Sequence, residues 1–109
     1  MAQLAAEGGI DKSVIDAPVA DAGPTVRAKV RVARALALGP AVLLLEHQTA
    51  TLPQEDLKAH SALIKRISER REITIVWLAM DEKFGRLRDG RLFSWRPANG
   101  EFRERRGWF

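Results

Sequence analysis

The chain has 109 residues, 46% of them hydrophobic, with no cysteine, two histidines and a formal net charge of +4. That length is one domain or a piece of one, and the lack of cysteine excludes disulfides and thiolate metal sites. Two imidazoles, His47 and His60, suit a zinc site poorly. The apolar runs fall far short of the roughly 18 residues of a membrane span, and no charged start followed by an apolar stretch marks a signal peptide. A soluble, cytoplasmic protein is the resulting expectation. The positive charge favours anionic partners such as nucleotide, nucleic acid or an acidic membrane face, or it is simply a solvated basic surface.

In chain order, residues 1–9 read as a short helix that Gly8-Gly9 stops. Residues 10–24 carry Asp11, Asp16, Pro18, Asp21, Gly23 and Pro24 and read as loop. Thr25–Leu38 predicts the first long helix, with Val26, Val30, Ala33 and Ala37 on one face and Arg27, Arg31 and Arg34 on another. Gly39-Pro40 ends it. Ala41–Leu45 is an apolar run without alternation, which suits a parallel strand covered on both faces.

A helix over about Leu52 to Arg70 follows, with Thr51 as its cap and Gln54 as the capping-box partner. Leu57, Leu63, Ile64 and Ile67 form its buried stripe, and His60 reads as a surface residue. Ile73–Ala79, rich in β-branched residues, predicts a second strand. Asp81–Leu87 reads as a short helix and Arg91–Trp95 as a third strand. Asn99-Gly100 then suits a type I′ hairpin into Glu101–Arg103. This order predicts an α/β fold with a mainly parallel sheet and a C-terminal β-hairpin. Residues 1–24 form an N-terminal helix and loop, and residues 25–109 the α/β domain.

The stretch from Ala33 to Leu52 combines a basic helix, a Gly-Pro break, an apolar strand ending in Glu46 and a polar loop. That order resembles the Walker B region of an ATP-binding cassette (ABC) ATPase, and the likeness covers about residues 22–95. Without gaps, Glu46 falls on the family's aspartate, which holds the magnesium water, and His47 on its catalytic glutamate. Gln48 replaces a proline, Thr49 and Leu52 match family residues, and Pro53 replaces the D-loop aspartate. Met80, before Asp81, takes the place of the switch histidine. The signature segment falls on Ala22-Gly23-Pro24-Thr25-Val26, where Gly23 and Thr25 keep something useful for a phosphate. No G-x-x-x-x-G-K-[ST] loop occurs in the chain.

The resemblance implies the C-terminal half of a P-loop NTPase-like layer. ATP and magnesium enter only in a complete site, and the isolated chain is inactive in hydrolysis. It also implies a partner: an ABC permease, an ATPase half or a second copy, peripheral to the inner face of the cell membrane. In that fold the strand carrying the phosphate loop lies between the strands matched by Ile73–Ala79 and Arg91–Trp95, and this chain does not encode it. Either the two pair directly or an apolar edge stays open to another chain.

Plainer readings stand beside these. Glu46 can be the polar end of a strand, His47 a hydrogen-bonded loop residue and Met80 a packing residue. The Arg103–Phe109 segment mixes cations with aromatics, as nucleic-acid binders do, or is a solvated tail. A non-catalytic interaction module on the same scaffold is the second functional reading, and a basic nucleic-acid binder the third.

Overall fold

The structure, a computed structural model, describes residues 2–46, 52–78 and 92–105. Helix α1 (Ala2–Glu7) is followed by a single turn α2 (Lys12–Ile15) and a 3-10 turn at Val19–Asp21. Then come α3 (Pro24–Leu36), β1 (Val42–Glu46), α4 (Gln54–Arg71), β2 (Thr74–Leu78), β3 (Leu92–Arg96) and β4 (Glu101–Arg105). Residues 10–24 are therefore not wholly loop. Asp11 caps α2 by accepting from the Ser13 amide at 2.9 Å, a local bond that short polar side chains favour.

The two apolar runs pair in parallel, with Val42 opposite Thr74 and Glu46 opposite Leu78. With α4 between them they form a β-α-β unit, as their spacing predicts. Among the described residues, β2 pairs with β1 alone. Strands β3 and β4 form a separate antiparallel ribbon, with Arg96 opposite Glu101. Its connection is thus the four residues Pro97 to Gly100, and Gly100 alone takes positive φ, at 65°. A type I′ turn needs positive φ at both central residues, so the tight hairpin expected at Asn99-Gly100 does not form.

The core joins Val32 and Leu36 of α3, Leu43 and Leu45 of β1, and Leu63, Ile64 and Ile67 of α4. The helix buries Ala28, Val32, Ala33 and Leu36, so of the expected Val26, Val30, Ala33 and Ala37 face Ala33 alone is buried. An Ala- and Val-rich helix offers more than one apolar stripe, and the stripe holding the larger Leu36 removes more area from water. On α4, His60 is buried, at 2% exposure, against expectation. It precedes Leu63, Ile64 and Ile67 at i, i+3, i+4 and i+7, so it belongs to the core stripe. The expected capping box is absent too: Pro53 is the N-cap without a side-chain bond, and Gln54 is the first helical residue, not the third.

The sheet has one covered face, not two. Leu43 and Leu45 are buried, whereas Val42, Leu44 and Glu46 are exposed. On β2, Val76 and Leu78 are exposed in the same way. Alternation along each strand puts these residues together on the side away from α3 and α4. Arg71 ties three helices at one end. It donates to Glu7 Oε1 at 2.5 Å and Oε2 at 2.8 Å, and to the Leu36 carbonyl at 3.0 Å. Glu72 then ends α4 in the left-handed region, at φ 53°. Among the described residues, no helix is long and apolar enough to cross a membrane.

Candidate functional site

Helix α3 starts at Pro24, whose ring supplies a helical φ and lacks an N–H that would go unused there. Gly23 is the N-cap, without a side-chain bond, and no acidic residue stands in the first turn. The Thr25 hydroxyl donates to Asp56 Oδ2 at 2.6 Å, which pins the start of α3 to the first turn of α4. Since α4 begins after β1 ends, both helix starts lie toward the C-terminal end of the parallel strands. Ligands of open α/β layers gather at that end.

A depression of about 340 Å³ opens there, lined by Ala22, Pro24, Arg27 and Arg31. The two arginines sit one turn apart on α3, and Arg27 also reaches the Val19 carbonyl at 3.5 Å. The arrangement can attract an anion to the mouth of the depression. It is a poor cradle for a phosphate at Thr25 itself, because the Asp56 carboxylate already holds that hydroxyl. Gly23 also lacks the geometry that demands glycine: its φ is −69°, and a Cβ there would meet nothing within 4 Å.

Glu46 closes β1 and is exposed. By alternation it lies on the outer face with Val42 and Leu44, opposite the helices, so the structure does not bring it together with Thr25 or Gly23. Among the described residues, no three carboxylate or imidazole groups converge on a point that could hold a metal ion. Glu46 thus offers a lone carboxylate. Magnesium takes one or two carboxylates where substrate phosphates complete its shell, so Glu46 suits it only with a nucleotide supplied alongside. His47 and Met80 lie outside the described residues, as do the Asp81–Leu87 helix and Arg106–Phe109.

The buried polar group nearest the core is His60, which the sequence analysis placed at the surface. Its ring meets Trp77 edge-on, at a centroid distance of 6.2 Å. Burial pushes its pKa below the ordinary value, and the charge of Lys29 adds to that. Arg27, Arg31 and Asp56 are the site residues that had no ligand role in the reading of the sequence. Their signal was the i, i+4 repeat of Arg27 and Arg31 and the acidic first turn of α4, both of which also suit an ordinary solvated face. No protein-family model, curated protein or solved structure matches the chain.

Proposed function

We propose that the chain is a degenerate or truncated ATP-binding subunit of an ABC-type transporter, inactive in ATP hydrolysis on its own. The observation that carries this reading is the parallel β1-α4-β2 unit, whose first strand ends in Glu46, with α3 preceding β1. In a completed site Glu46 would hold the water of a magnesium ion, and the metal would shield phosphate charge. The Asp56 carboxylate at Thr25 and the missing phosphate loop fit a subunit that lends part of a site. Phosphoryl transfer rests on charge stabilisation by donors this chain does not supply. An ATPase assay of the purified chain tests this. Turnover above buffer that disappears in Glu46→Gln would overturn it.

The second reading is a non-catalytic interaction module. The exposed apolar outer face of β1 and β2 favours it, because parallel sheets are normally covered on both sides. An in-frame phosphate-loop motif in the DNA upstream of this chain would favour the subunit over the module.

A further inference from the structure

The outward side of α3 is a surface apart from the sheet and from Glu46. Arg27, Arg31 and Arg34 recur there at i, i+4 and i+7, opposite Ala28, Val32 and Leu36, which face the core. All three arginines are exposed. None pairs with a carboxylate among the described residues. Leu38 continues the row at i+11 just past the helix and is 87% exposed. At the other end Val19 is 76% exposed, and its carbonyl accepts from Arg27 at 3.5 Å. Asp21, exposed beside Val19, is the carboxylate closest in sequence to the row and weakens its N-terminal end.

We infer that the Arg27–Arg31–Arg34 face of α3, with Leu38 and Val19 at its ends, docks the protein on an anionic lipid bilayer. Guanidinium groups pair with headgroup phosphates, and exposed aliphatic side chains at the same level enter the boundary with the acyl chains. Cations held near an anionic bilayer each raise partitioning about fivefold. Burying Leu38, otherwise left in water, adds an apolar contribution that salt does not screen. Nucleic acid is a poorer fit. No Phe, Trp or Tyr occurs before Trp77, so α3 and the turns flanking it carry no aromatic ring to stack a base. The exposed aromatics Phe93 and Phe102 lie on the hairpin and stack on each other at 5.1 Å.

The test is sedimentation of the full chain with vesicles, without nucleotide, so that its outcome is independent of the transporter reading. Vesicles of equal parts phosphatidylcholine and phosphatidylglycerol should carry the protein down, and vesicles of phosphatidylcholine alone should not. Added salt should weaken but not abolish the binding. Arg27→Gln/Arg31→Gln/Arg34→Gln should lower partitioning by about 100-fold, and Leu38→Asp should lower the part that survives high salt. Circular dichroism confirms that the variants fold. Lys58→Gln/Arg66→Gln/Arg70→Gln, which removes three exposed cations from α4, should cost far less. Equal losses in the two triple variants would overturn the proposal, because net charge would then explain the binding. So would unchanged binding by the α3 variant, or a single-stranded oligonucleotide bound through these arginines with no vesicle binding.

Discussion

His60 stands edge-on to Trp77, with ring centroids 6.2 Å apart and planes at 85°. The contact joins the core side of α4 to β2. It places an ionisable ring where burial disfavours its charged form, which lowers its pKa from 6.5. The unfolded chain therefore takes up this proton at higher pH than the folded one. Stability is fully present above the unfolded value and is lost as pH falls below it toward the folded one. Urea melts on either side of pH 6.5 should show that loss, with a slope of up to about 1.4 kcal/mol per pH unit. His60→Leu should flatten the slope in this window. An unchanged slope would mean that another group is responsible.

Arg71→Ala removes a bidentate ion pair with Glu7 and the bond to the Leu36 carbonyl together. Both charged side chains are mostly shielded from water, and such bonds contribute about 2 kcal/mol in total when partly wet. The variant should lose amide protection over Ala2–Glu7 first, while Val42–Glu46 stays protected. Hydrogen exchange distinguishes that local loss from global unfolding.

Ile64 of α4 is fully buried and Leu44 of β1 is 53% exposed, although both are aliphatic. Ile64→Ala should therefore cost about 3 kcal/mol, as buried large-to-small changes do. Leu44→Ser should cost under about 1 kcal/mol. Denaturant midpoints compare the two, and a similar cost at Leu44 would mean that its face is covered.

Val42, Leu44, Val76 and Leu78 present aliphatic side chains on the outer sheet face, beside an edge of β2 that no other strand pairs with among the described residues. Bare edges and apolar strands template association. Light scattering of the purified chain at tens of micromolar should show self-association, and Leu44→Ser/Val76→Ser should reduce it. A stable monomer with slow amide exchange over Thr74–Leu78 would mean that the edge is closed.

Glu72 holds a left-handed conformation at the end of α4, with φ 53°. A non-glycine residue is strained there by about 1 kcal/mol. Glu72→Gly should raise the melting temperature, while Gly39→Ala, at φ 63°, should lower it. Thermal melts of the pair check both signs.

The β-α-β unit was legible because Ala41–Leu45 and Ile73–Ala79 are short apolar runs, the second rich in β-branched residues, and the helix between them carries a clear stripe. Covering on both faces was misjudged for a physical reason. A run without alternation marks apolar residues on both sides of a strand, but not the presence of something to cover each side. Leu44 and Val76 are apolar and remain in the open. His60 was misplaced because its polar identity outweighed its position on the stripe. At the site, Glu46 was found as the strand's closing carboxylate. The bond from Thr25 to Asp56 spans 31 residues, and no local pattern encodes a tertiary pairing of that kind.

The clasp between Glu7 and Arg71 bridges 64 positions of the chain. Loop closure grows costlier with length, and synthesis delivers the N-terminus first. During translation α1 thus emerges long before its anchor exists. It waits undocked while α3 and β1 are being made, and its seat is complete only when the last turn of α4 leaves the ribosome. Of the described helices, the one made earliest is thus among the last to be clasped, and a pause before Arg71 would leave Glu7 without its ion-pair partner for the whole interval.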